Sequence, residues 1–184
     1  MKKVILLLAF LTVGILTAQV RQINVAKSNI TWTGKKVTGE HVGSLMFKSG
    51  VVSFKNKKIN GGNFTVDMTT LTNTDQTGKD KEKLEGHLKS ADFFATEAFK
   101  TANLVFKTIQ EKIKGTYTIV ADLTIKGKTN PVTFDLVTKG KTASTKFTID
   151  RTKYGIQYGS GSFFDDLGDR TIYDEFELNV KISY

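Results

Sequence analysis

A chain of 184 residues with no cysteine, one proline and 13 phenylalanines is long enough for one domain with a sizeable core, and it excludes a disulfide framework, a thiol nucleophile and a lipoprotein anchor on cysteine. Lys and Arg number 27 against 18 Asp and Glu, a formal charge of +9, which suits anionic lipid head groups, a membrane surface or nucleic acid. Because the lysines are spread over the whole chain, the charge reads first as solubility and decides no function by itself.

The chain opens with Met1-Lys2-Lys3, an apolar run over 4–16 and then Thr17-Ala18-Gln19. That is the order of charge, apolar core and small residue found in a secretory signal peptide, with cleavage expected after Ala18. The run is shorter than the roughly 20 residues needed to cross a bilayer, and no later stretch approaches that length. The expected organisation is therefore a leader over 1–18 and a domain over 19–184 without an integral membrane segment. Losing Lys2 and Lys3 lowers the charge to +7. Export implies a periplasmic location, with the cell exterior or the outer membrane as alternatives, and it argues against nucleic acid as a partner.

From Gln19 onward most of the chain alternates apolar and polar residues with period two and is rich in Thr, Val, Ile and Phe, the pattern of half-buried strands. Weaker strand signals fall over 30–33, 45–47 and 51–54. Phe64, Val66 and Met68 then share a face. The segment 80–96 breaks the period: Leu84, His87, Leu88, Ala91 and Phe94 recur at spacings of three and four, which predicts a helix with Lys81, Glu82, Glu85 and Lys89 in water and Asp80 as its cap. Strands resume over 104–109, then with Tyr117, Ile119, Ala121, Leu123 and Ile125 on one face, then with Val132, Phe134 and Leu136. Pro131 stands where a strand would begin. After 143–149, Ile172, Phe176, Leu178, Val180 and Ile182 form the last apolar face, opposite Tyr173, Glu175, Glu177, Asn179 and Lys181. Eight or more short strands in one domain predict a sandwich or a closed barrel.

The residues give catalysis little to work with. His41 and His87 are far apart in the chain, with no clustered carboxylate or thiolate, so no metal-ligand spacing is present. Asp165-Asp166-Leu167-Gly168-Asp169 lacks the alternating ligands and closing Glu of a calcium loop. Gly159-Ser160-Gly161 does not open a helix after a parallel strand as a phosphate cradle does, and no Gly-x-Ser-x-Gly elbow occurs. Neither a cofactor nor a metal is expected. His87 lies on the apolar stripe of the predicted helix, where it is either a buried structural histidine or a polar anchor for a ligand head. Phenylalanines such as Phe47, Phe54, Phe106, Phe163 and Phe164 provide a large apolar interior. In a barrel of about eight strands the lumen is either filled by such side chains or left open for one small ligand.

Several segments carry a resemblance. Trp32-Thr33-Gly34-Lys35-Lys36-Val37-Thr38-Gly39-Glu40-His41, Val66-Asp67-Met68, Gly86-His87-Leu88-Lys89-Ser90-Ala91-Asp92-Phe93-Phe94, Leu123-Thr124-Ile125-Lys126-Gly127, and Asp150-Arg151 followed by Tyr154-Gly155-Ile156 resemble, in order, the YceI-like, polyisoprenoid-binding family of exported bacterial proteins. Lys100 stands where members of that family usually carry proline. The resemblance implies a mainly β, antiparallel lipocalin-like barrel of about eight strands with a helical segment near one opening. It also implies an isoprenoid or other long-chain lipid held in the lumen, often in a homodimer. Taken with the alternation, it places Phe64, Val66, Met68, Phe106 and Phe134 against the lipid tail, and Trp32, His87, Phe94 and Tyr154 nearer the mouth. The leading expectation is thus a lipid carrier or sequestering protein with no catalytic residues. The alternatives are a ligand-free stress or surface interaction module, and an enzyme acting on the bound lipid through His87 and Asp92.

Overall fold

The computed structural model describes residues 19–184, so the leader expected over 1–18 lies outside the described residues. These contain β1 (Gln19–Gln22), β2 (Asn29–Lys36), β3 (Gly39–Lys55), β4 (Lys58–Asn73), α1 (Gly78–Lys89), β5 (Thr101–Ile113), β6 (Thr116–Ile125), β7 (Lys128–Lys139), β8 (Thr142–Asp150) and β9 (Ile172–Ser183). All pairings are antiparallel, and the order β3-β2-β9-β8-β7-β6-β5-β4 closes on itself because β4 also pairs with β3. Eight strands therefore form a closed barrel with one α-helix among the described residues, the second of the two architectures that the alternation allows and the one that the resemblance implies. β1 prolongs the β2 side of β3, pairing with Val51 to Phe54; the 3-10 turn Val25–Lys27 separates it from β2.

The period of two explains which faces are inside. In β6, Tyr117, Ile119, Ala121, Leu123 and Ile125 are all buried while the residues between them are half-exposed. Two hairpins close through two-residue turns with positive φ at both positions, Asn56-Lys57 and Lys126-Gly127, the left-handed geometry that matches strand twist. The signals over 45–47 and 51–54 are not separate strands, since both lie in β3. Gly50 does not break it: Gly50 pairs with Phe64, and a Cβ there would stand 2.6 Å from Phe64 Cδ1. That glycine makes room for a ring, and three register shifts along the β3–β4 ladder bend the pair around the barrel.

Pro131 is likewise inside a strand and not at its start. β7 is laddered to β8 only through Val137–Ser144, Thr138–Ala143 and Lys139–Thr142, so Pro131 occupies a stretch with no ladder on that side, where a missing N–H is tolerated.

The helix runs over Gly78–Lys89 and not 80–96. Thr77 is its cap residue and Asp80 falls in the first turn, where a carboxylate complements the positive helix end. Ser90 ends it, placing its N–H and Oγ on His87 O at 3.1 and 2.8 Å. Irregular turns follow, held by Phe94 N–H to Leu88 O and Ala95 N–H to Ser90 O. Phe93 is buried there and Phe94 half-buried, but Ala91 is exposed. Glu85 is not simply in water: its carboxylate accepts from Thr72 Oγ1 at 2.6 Å and from Asn73 N–H at 2.8 Å, fastening α1 to β4.

Candidate functional site

The inward side chains leave two apolar cavities along the barrel. The upper one, about 280 Å3, lies under α1 and the turns that follow it; the lower one, about 80 Å3, lies toward the end where Phe54 and Tyr184 meet with ring centroids 5.3 Å apart. Ile30, Val66, Ala102, Leu123 and Leu178 line both and form the waist between them.

Eight of the nine side chains read from the sequence line this space. Phe64, Phe106 and Phe134 border the lower cavity, Val66 the waist, and Met68, Trp32, His87 and Phe94 the upper cavity. Tyr154 lines neither. It sits on the 3-10 turn Arg151–Tyr154, 1% exposed, packed into the upper core cluster with its hydroxyl buried and unpartnered. Burial pushes its pKa up to about 12. Phe163 and Phe164 are half-exposed outside the lumen.

The lower lumen is narrowed by a row of rings. Phe47, Phe64, Phe106, Phe134 and Phe147 follow one another with centroids 6.2, 5.4, 6.1 and 4.6 Å apart, the last pair stacked. These tilted and offset contacts fit the aromatic quadrupole. Phe134 and Phe147 also span β7 and β8 where the two strands lack a ladder.

The upper wall carries the ionisable groups, whereas Asn103 and Thr145, the latter with its Oγ1 buried and unpartnered, are the polar residues on the lower one. Trp32 lies against Gly43, where a Cβ would come within 2.2 Å of the indole and 2.0 Å of Thr72 O; a close approach of this kind requires glycine. Trp32 is 8% exposed and its Nε1 is buried without a partner. His87 Nε2 is also buried without a partner, with Phe93 and Tyr158 presenting edge contacts at 5.6 and 4.3 Å. His87 and Asp92 do not form an acid–base pair: Asp92 is exposed and makes no hydrogen bond to the imidazole. His41 Nδ1 lies 2.9 Å from Asp75, which also accepts from Val42 N–H at 2.7 Å and from Asn73 Nδ2. Burial pushes the Asp75 carboxyl up, but these hydrogen bonds outweigh it and hold it below its ordinary value. Among the described residues no group of three His, Asp or Glu side chains gathers as a metal site would require.

Sequence reasoning missed the Arg151–Asp174 pair. Arg151, 2% exposed, donates to the carbonyls of Tyr173, Ile156 and Ile172 at 3.1, 2.9 and 2.9 Å and lies 3.4 Å from Asp174. Its guanidinium also stands 5.5 Å from the Phe93 ring. The available signal was Asp174 itself, a carboxylate on the same parity as Ile172 and Phe176, since an inward charge demands a buried partner.

A family model described as YceI-like domain matches residues 22–184 of the chain. A UPF0312 protein of Staphylococcus aureus is 38% identical over 88 residues, covering 42% of this chain and 48% of its own length. The corresponding protein of Staphylococcus epidermidis is 39% identical with the same coverage. The match thus spans about half the length of these curated relatives. Among solved structures, BcnA of Burkholderia cenocepacia superposes with a TM-score of 0.70 at 20% identity, over 88% of this chain and 99% of that one. A polyisoprenoid binding domain from Saccharophagus degradans gives 0.59 at 11% identity, over 91% and 97%. A YceI protein of Campylobacter jejuni gives 0.57 at 14% identity, over 100% and 92%. At these identities the likeness establishes the barrel fold.

Proposed function

The chain belongs to the YceI-like family, and on that premise we propose that it is an exported, periplasmic protein that carries or sequesters an isoprenoid or similar amphiphilic lipid in its lumen. The observation that supports this reading is the cavity of about 280 Å3 walled by Met68, Leu71, Leu88, Phe93, Ile125 and their neighbours. A packed core leaves few voids larger than a water molecule, so space of this size and polarity is a site for hydrocarbon. Burying hydrocarbon contributes about 0.8 kcal/mol per methylene, or roughly 3 to 4 kcal/mol per isoprene unit before ordering is subtracted. The polyisoprenoid binding domain from Saccharophagus degradans, similar in fold, supports the same ligand class. The leader read over 1–18 supports export. No catalytic step is assigned, and the separation of His87 from Asp92 gives the enzyme reading no acid–base pair.

Native mass spectrometry with organic extraction, on protein taken from the exported fraction of its own host, tests the proposal. A stoichiometric lipid mass on a chain beginning at Gln19 is expected. Clean apo protein of the same mass would sink the lipid reading, and a chain still beginning at Met1 would sink the export reading.

A further inference from the structure

Resting on the reading of the lumen as a lipid site, the geometry points to its occupant as a single-chain amphiphile with an anionic head and a short tail, about 12 to 16 carbons long. Both the volume of the lumen and the chemistry of its wall lead there.

An apolar cavity of about 150 Å3 accommodates benzene, roughly six carbons. On that scale the upper cavity, about 280 Å3, takes about 11 carbons and the lower one, about 80 Å3, about three more. The limit comes from the ring row Phe47, Phe64, Phe106, Phe134 and Phe147, which fills the lower lumen from several strands at once. Phe134 is 6% exposed and Phe64 likewise 6%, and each is held by rings on both sides. A tail of eight isoprene units, about 40 carbons, exceeds the space nearly threefold.

The head is specified by charge and by unpartnered polar atoms. Lys35, Lys36, His41, His87 and Arg151 are the ionisable groups on the upper wall with Tyr173, and no carboxylate is among those lining it. Lys35 pairs with Glu40, His41 with Asp75 and Arg151 with Asp174. Lys36 has no carboxylate partner among the described residues, and it borders the cavity. Trp32 Nε1 and His87 Nε2 are buried and unpartnered on the same wall. An indole N–H only donates, so the group that satisfies it must carry an acceptor oxygen. An oxyanion meets the uncompensated charge of Lys36, and its oxygens offer the acceptor that the Trp32 indole N–H lacks on the same cavity lining. A carboxylate and a phosphate monoester share this chemistry.

The full exported chain, stripped of lipid, is titrated with the saturated acids from decanoate to docosanoate, with farnesyl and geranylgeranyl phosphates, and with the matching alcohols. Calorimetry and the fluorescence of Trp32, the chain's single tryptophan, report binding. Affinity is expected to rise about fourfold per methylene, the equivalent of about 0.8 kcal/mol, until near tetradecanoate, and then to level or fall. The acid or the phosphate should exceed its alcohol by about tenfold or more, as one charge-assisted hydrogen bond provides, and the tighter series identifies the head. Lys36→Gln, an exposed and foldable change, should narrow that ratio. Val66→Phe at the waist should move the optimum about three carbons shorter. Affinity still climbing through docosanoate would overturn the tail limit while leaving lipid binding intact. Alcohols binding as tightly as acids would overturn the anionic head. Failure of every ligand to bind a correctly folded chain would instead remove the lipid reading beneath both.

Discussion

Gly43 and Trp32 show how tightly single residues are determined around the cavity. A methyl group on Gly43 has no free space, with Thr72 O and the indole both inside 2.5 Å of it. Gly43→Ala is therefore expected to destabilise the fold by about 2 kcal/mol and to shift the emission of Trp32, both readable in one urea titration. Arg151 is the costliest side chain to remove. Arg151→Met would leave the carbonyls of Tyr173, Ile156 and Ile172 without their donor and Asp174 without its cation, a loss of about 3 to 5 kcal/mol in equilibrium unfolding. Tyr154 behaves oppositely, because its buried hydroxyl has no partner and Tyr154→Phe should be neutral or stabilising at pH 7. The two chains should part at high pH. A phenol near 10 when unfolded and about 12 when folded favours the fold below pH 10 and loses that contribution as pH rises through 12, so the wild type should weaken faster than the variant across that window. Residue identities inside the strands were legible because parity decides them: Phe64, Val66, Met68, Phe106 and Phe134 all face the lumen. Tyr154 was not, since a 3-10 turn imposes no period of two and its direction depends on neighbours distant in sequence.

At the scale of elements, β6 and β9 could be read from alternation alone, whereas β3 and α1 could not be bounded. The glycine that seems to divide β3 answers to Phe64 on another strand, which no local pattern discloses. The apolar spacing that carried the helix to residue 96 persists in sequence after the backbone has left the helix at Ser90, because turns can bury Phe93 as well as a helix could. Attachment of α1 depends on Glu85. Hydrogen bonding from Thr72 holds this carboxyl below its ordinary value, opposed by burial and helped by the Asn73 N–H. A lowered carboxyl contributes stability above its unfolded pKa and loses it as pH falls through the folded one. The protection of the α1 amides against hydrogen exchange, relative to their intrinsic rates, should accordingly fall on acidification before that of β6 does. Glu85→Ala should produce the same selective loss of protection at neutral pH, at about 1 to 3 kcal/mol of local stability; equal loss in both elements would contradict the assignment.

For the molecule as a whole, a lumen lined from every barrel strand makes ligand binding and folding one equilibrium. A ligand held at one hundred times its dissociation constant should stabilise the barrel by about 2.7 kcal/mol, seen as a rise in Tm that grows with ligand concentration. The seam between β7 and β8 has a different consequence, one for the protein in a crowded solution. A cylinder normally has no free edge, but here the main chain of β7 ahead of Val137 lacks a neighbour on one side, and such an edge can recruit a strand from another molecule. Asn130 Nδ2 bonded to Lys153 O covers part of it, and Pro131 beside it has no N–H to offer. Without that N–H the edge offers one donor fewer to an incoming strand, so Pro131→Thr should leave the barrel folded while increasing its concentration-dependent association in sedimentation, a solubility cost that the stability of the single molecule would never reveal.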